Sequence, residues 1–132
     1  MIQFQSLTPN LLVTDVNATI DFYKQNFGFE IQMFYPETGN LVWAMIAKDN
    51  IAIMIQEKES ILGEYPELKN RTLGGSQTFY INVVGIEEIY AKLTQNGVSI
   101  LIELRKTVYD AKEFAIKDLN GYILTFAQGK TE

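Results

Sequence analysis

Leu7 to Val13 is an apolar, β-prone run that closes on Thr14-Asp15, a pair suited to cap a helix. Val16, Ile20, Tyr23 and Phe27 follow on one helical stripe, with Asp21 and Lys24 on the opposite face. Gly28 suits the left-handed residue that ends a helix, and Phe29-Glu30-Ile31 leaves it in strand-like alternation. Pro36 to Asn40 breaks that strand. Leu41 to Ala47 and Ile51 to Gln56 then flank Lys48-Asp49-Asn50, which predicts a tight hairpin. From Glu57 to Gly75 the periodicity fails. Polar residues, Pro66 and Gly74-Gly75 predict a long connection, with a short helix near Glu64 to Lys69 and Glu57-Lys58-Glu59 as solvated loop.

The first pattern then returns. Thr78 to Val84 predicts a strand, and Ile86, Ile89, Tyr90 and Leu93 form a helix stripe that stops at Asn96-Gly97. Val98 to Leu104 predicts another strand. Glu113 to Lys117 and Tyr122 to Ala127 flank Asp118-Leu119-Asn120-Gly121, which suits a three-residue loop with Gly121 in the left-handed bulge position. Thr8 and Thr78, like Val13 and Val83, stand 70 positions apart; Gly28 and Gly97 stand 69 apart, and Met54 and Thr125 stand 71 apart. Drift this small marks an internal repeat. The predicted fold is α+β: two βαβββ modules in tandem within one domain. Module one covers about 1–57, the connection about 58–76 and module two about 77–129. Neither module can bury its own sheet face alone, so the expected arrangement is a concave mixed β-sheet with the helices on the outer face.

Composition narrows the chemistry. The 132 residues include no histidine and no cysteine. That excludes imidazole-held zinc, iron–sulfur clusters, thiol chemistry and Ser–His or Cys–His nucleophiles. Any metal held by this chain alone needs oxygen ligands. Eleven basic against sixteen acidic side chains leave a net charge of −5. Nucleic acid needs a basic stripe and is not an expected partner, whereas this sign attracts cations. MIQFQSLTPN has neither a basic nor an apolar signal region, and no apolar run approaches a membrane span. The expectation is a cytoplasmic protein without a membrane partner.

Leu12-Val13-Thr14-Asp15-Val16, running into Ile20-Asp21-Phe22-Tyr23 and Phe27-Gly28-Phe29, resembles the vicinal oxygen chelate superfamily. That superfamily includes glyoxalase I, extradiol dioxygenases, fosfomycin-modifying enzymes and bleomycin resistance proteins. Glu113 to Gly121, followed by Tyr122-Ile123-Leu124-Thr125-Phe126, is especially similar to bleomycin resistance proteins. The resemblance covers nearly the whole chain. It implies four metal ligands, usually His, Gln or Glu, at positions that here fall on Thr8, Met54, Thr78 and Thr125. A thioether and three hydroxyls are no donor set for zinc, iron or manganese, so no metal and no other cofactor is expected.

If those four positions face inward, strand alternation turns Asn10, Leu12, Ala52, Gln56, Tyr80, Asn82 and Ile123 inward with them. A two-residue hairpin at Asp49-Asn50 sets Trp43 opposite Gln56 and Met45 opposite Met54. A three-residue bulged turn at Asp118 sets Glu113 opposite Thr125. The candidate ligand-binding residues are therefore Thr8, Asn10, Trp43, Met45, Met54, Gln56, Thr78, Tyr80, Tyr109, Glu113 and Thr125. Trp43 is a core or interface aromatic, or it stacks on a ligand; Met45 and Met54 are packing residues, or they line the pocket. Tyr109 lies in the loop from Lys106 to Lys112, as a surface aromatic or a stacking group. Glu113 is a structural ion pair or a receptor for a cation.

The resemblance implies a metal-free, acidic homodimer that sequesters a small hydrophobic or cationic molecule, such as an antibiotic. The alternative is a glyoxalase-like lyase or another enzyme acting without a metal. There Glu113 is the one candidate acid or base, with Tyr80 as hydrogen-bond donor. A third reading makes the chain an interaction module completed by another protein.

Overall fold

A computed structural model describes residues 1–129. Contacts divide the chain into two compact units, Met1–Asn70 and Arg71–Glu132. The first holds β1 (Asn10–Val13), α1 (Val16–Phe27), β2 (Glu30–Tyr35), β3 (Trp43–Lys48), β4 (Ile51–Glu57) and α2 (Lys58–Glu64), followed by a 3₁₀ turn at Pro66–Leu68. The second holds β5 (Thr78–Asn82), α3 (Ile86–Gln95), β6 (Ser99–Lys106), β7 (Lys112–Lys117) and β8 (Ile123–Gln128). The sheet orders are β1-β4-β3-β2 and β5-β8-β7-β6. In each, the first and last strands pair in parallel, β1 with β4 and β5 with β8, and the remaining pairs are antiparallel. These are the α+β tandem βαβββ modules predicted from the repeat.

In the first unit α1 starts at Asp15, whose side chain accepts from the Ala18 amide at 3.0 Å. It ends at Gly28, left-handed at φ 77°. Val16, Ile20, Tyr23 and Phe27 are buried, and α1 packs on β3 and β4. Leu11, Val13, Ala44, Ile46 and Ile55 lie buried on the same sheet face. Each large side chain there stabilises the unit by about 1.5–3 kcal/mol through burial. The second unit repeats this with Ile86 and Leu93 of α3 against Phe114, Ile116, Leu124 and Phe126. Phe114 and Phe126 stack at 5.1 Å.

Among the differences from the predicted elements, one strand start, one loop and one register bear on the site. The first strand begins at Asn10 instead of Leu7, because Pro9 has no amide to donate; Thr8 lies ahead of the strand and Leu7 is exposed. The connection folds earlier than expected. Glu57 accepts from the Ser60 amide at 3.1 Å and caps α2, so Lys58-Glu59 is its first turn rather than loop. Glu113 stands opposite Ala127, and Thr125 opposite Ala115. The three-residue loop is Leu119-Asn120-Gly121, closed by the Asp118 amide on the Tyr122 carbonyl at 2.9 Å, which slides the ladder by two residues and keeps the face.

Gly74 and Gly121 allow a close approach. Gly74 sits at φ 76°, and a Cβ there would lie 2.4 Å from the Gly121 backbone. The segment before β5 thereby rests on the β7–β8 turn.

Candidate functional site

Each sheet turns one face to its module's βαβ helix and the other away from it. The face turned away from α1 carries Asn10 and Leu12 from β1, Trp43 and Met45 from β3, and Met54 and Gln56 from β4. Trp43 pairs with Gln56 and Met45 with Met54, as the two-residue hairpin predicts. Its apolar members are half-buried. Gln56 is buried and organises the polar atoms. Its Oε1 accepts from Asn10 Nδ2 at 2.9 Å, and its Nε2 donates to Ser60 Oγ at 2.9 Å and Glu64 Oε1 at 2.7 Å. The side chain ties β4 to β1 and α2, a partnership with Ser60 and Glu64 that the sequence reading missed.

The corresponding face of the second sheet carries Thr78, Tyr80 and Asn82 from β5, Ile123 and Thr125 from β8, and Glu113 from β7. Glu113 is only 5% exposed. Tyr80 donates its hydroxyl to Glu113 Oε2 at 2.5 Å, and Tyr109 donates to the same oxygen. Arg105 Nη2 lies 3.9 Å from Oε1. Tyr109 is brought there by the β6–β7 turn. Thr107 donates its amide to the Ala111 carbonyl at 2.7 Å, and its Oγ1 accepts from the Ala111 amide at 3.1 Å. The Tyr109 hydroxyl is thus bonded to a buried carboxylate, and its ring is 62% exposed.

Burial pushes the Glu113 carboxyl up, but the hydrogen bonds from Tyr109 and Tyr80 and the charge of Arg105 outweigh it and hold the group below its ordinary range. The Tyr80 phenol is raised, first by its bond to Glu113 and then by burial. At neutral pH the cluster is an anion with two bound phenols. It accepts hydrogen bonds and counter-charges, and it is a poor proton donor. Arg105 was not a candidate from the sequence. Two register irregularities in β6 bring it opposite Glu113, and strand parity could not anticipate them.

Of the eleven sequence candidates, Asn10, Trp43, Met45, Met54 and Gln56 share one face of the first sheet. Tyr80, Tyr109 and Glu113 meet in the second unit. Thr125 is beside Tyr80 in the ladder, Thr78 pairs with Ile123, and Thr8 precedes β1. A separate depression of about 290 Å³ is lined by Glu87, Lys106, Asp110, Lys112 and Gln128. Its lysines are paired, Lys106 with Asp110 and Lys112 with Glu87, each at 3.0 Å.

The sequence matches the Glyoxalase/Bleomycin resistance protein/Dioxygenase superfamily over residues 4–126. The chain belongs to this superfamily. No curated protein matches it. Among solved structures it is similar to TioX from Micromonospora sp. ML1, with 18% identity, 95% of this chain and 98% of that one covered, and a TM-score of 0.75. It is similar also to protein SA1046 from S. aureus, at 21% identity, 96% and 95% coverage and a TM-score of 0.77. A superfamily enzyme from Burkholderia phytofirmans PsJN gives 15% identity, 90% and 94% coverage and a TM-score of 0.75. At these identities the likeness is one of fold.

The superfamily's metal finds no suitable donors at the corresponding positions. Thr8, Met54, Thr78 and Thr125 supply no carboxylate or imidazole, and among the described residues no three of Asp, Glu, His or Cys gather. The residues do not fit the group. Among the described residues, no helix is long and apolar enough to cross a membrane.

Proposed function

We propose that this member of the superfamily is a metal-free protein that binds and sequesters a small hydrophobic or cationic molecule, such as an antibiotic, in the manner the resemblance to bleomycin resistance proteins implies. The observation that carries the reading is the Glu113 cluster: a buried, ionised carboxylate on a sheet face where the hydroxyls of Thr78 and Thr125 stand in place of metal ligands. Enclosed apolar area with a few orienting polar groups suits a small molecule, and Trp43, Met45 and Met54 supply apolar area on the other sheet. The same carboxylate makes a weak case for catalysis. It is held ionised, so it is no general acid, and among the described residues no electrophilic partner beyond Arg105 faces it.

The test is a thermal-shift panel of amphipathic and cationic compounds, bleomycin-type glycopeptides included, on protein purified with and without chelator. Stabilisation independent of the chelator supports binding without a metal. No shift across the panel overturns the reading, as does stoichiometric Ni, Zn, Fe or Mn in the native protein. A second copy of the chain is the proposed partner. Ile31, Met33, Phe34 and Tyr35 leave β2 with exposed apolar area at a sheet edge, which favours association. Light scattering on a sizing column reads the mass. A cytoplasmic location, with neither membrane nor nucleic acid as partner, belongs to the same proposal.

A further inference from the structure

We propose that Glu113 Oε1 receives a protonated amine of the ligand, and that Arg105 is the chain's own counter-ion which that amine displaces. The inference rests on the binding reading above and names the chemistry its ligand carries. The two carboxylate oxygens have different surroundings. Oε2 is occupied, because both Tyr80 and Tyr109 donate to it. From the described residues Oε1 accepts no hydrogen bond: its cationic neighbour, Arg105 Nη2, stands 3.9 Å away, beyond bonding distance. Among the described residues no buried side-chain oxygen or nitrogen lacks a partner. Oε1 has none, so it lies where solvent reaches it, although the Glu113 side chain is only 6% exposed.

A carboxylate in this state accepts a donor at little further desolvation cost, because its burial is already compensated at the other oxygen. The phenols also fix its rotamer, so a ligand bonds to a positioned acceptor. Arg105 neutralises the charge in the meantime. Its side chain is 54% exposed and holds no hydrogen bond to Glu113, so release into water costs little. A compact ammonium can approach Oε1 to hydrogen-bonding distance, which this guanidinium does not. The rings of Tyr80 and Tyr109, 55% and 62% exposed, stand beside the carboxylate and offer apolar and cation–π contact to the group that carries the nitrogen. The ligand class is therefore a primary or secondary amine attached to an apolar or aromatic body. A quaternary ammonium has the charge but no N–H for Oε1.

Benzylamine, benzyltrimethylammonium and benzyl alcohol separate these terms when titrated into the intact protein and followed by amide chemical shifts. Benzylamine is expected to bind about tenfold more tightly than the alcohol, the worth of one charge-assisted bond, with the quaternary ion between them. Arg105→Ala is expected to tighten benzylamine about threefold to tenfold and leave the alcohol unchanged, since it removes a competitor. Glu113→Gln is expected to bring benzylamine down to the level of the alcohol. Equal affinity for all three probes in the wild type overturns the amine site and leaves the binding reading standing. Weaker benzylamine binding in Arg105→Ala also overturns it, by making the arginine part of the receptor. Binding of none of the three, with no shift in the wider panel, overturns both. Arg105 is exposed, so that variant decides the question even if Glu113→Gln does not fold.

Discussion

Module one and module two share a strand order and a helix placement, yet their helix-free faces solve polarity in opposite ways. In the first, the polar centre is a neutral amide with its oxygen and nitrogen both engaged. Gln56 spends its amide on Asn10, Ser60 and Glu64, and the remaining surface is thioether, indole and alkyl. In the second, the centre is charged and half open, with one carboxylate oxygen saturated by phenols and the other facing a distant arginine. The approach to the first strand differs as well. Residues ahead of β1 are largely exposed, whereas those ahead of β5 are held against the β7–β8 turn through Gly74 and Gly121. A repeated backbone leaves each copy's face free to diverge, provided the helix-side core stays apolar.

The largest expected effect tests that held segment. Gly74→Ala should cost about 3 kcal/mol or more, because its Cβ meets backbone and its φ is positive. Gly39→Ala in module one, also at positive φ but with nothing within 4 Å, should cost about 1 kcal/mol. Urea unfolding measures both, and equal losses would erase this difference between the modules.

The next pair separates the charged centre from the neutral one. Gln56→Ala and Glu113→Gln should each cost about 2 kcal/mol at pH 7 through lost buried hydrogen bonds. The second should depend on pH through the carboxylate itself. The Glu113 carboxyl sits lower in the fold than its ordinary value of 4.5, so its contribution is complete above that value and drains as pH falls through the folded value. The Glu113→Gln loss should therefore shrink in acid, in unfolding curves taken across about pH 3 to 7. Smaller still, Tyr109→Phe and Tyr80→Phe should each cost about 1 kcal/mol and shift the acid-unfolding midpoint upward. A midpoint unmoved in both would mean that the phenols do not hold the carboxylate.

Much of this plan was legible in the chain. The repeat and the helix stripes set the topology, and the Asp49-Asn50 turn set Trp43 against Gln56 and Met45 against Met54, because a hairpin's loop length fixes its register. The same logic set the face of Glu113 and missed its partner by two residues, since Asp118 and Tyr122 pair inside the loop as first counted. What stayed hidden had non-local causes. Arg105 reaches Glu113 across an irregular ladder. Nothing near Tyr109 in sequence marks its hydroxyl for Glu113, because the meeting depends on how the Thr107–Ala111 turn folds back. The helix from Lys58 is short, contains Gly63, and buries one residue, Ile61, too little to leave a periodic signature.

The two βαβ helices also begin differently. Asp15 caps α1 from the adjacent residue in the chain. Gly85 stands at the start of α3 with no side chain to offer, and Gln128 Oε1 accepts from the Gly85 and Ile86 amides instead, at 2.9 Å each. A chain growing from its N-terminus can thus finish the start of α1 while α1 itself is being made. The start of α3 has to wait until β8, far downstream in the chain, has reached its place in the sheet. The first turn of α3 is thereby tied to the end of β8, so loosening that strand end loosens the helix start.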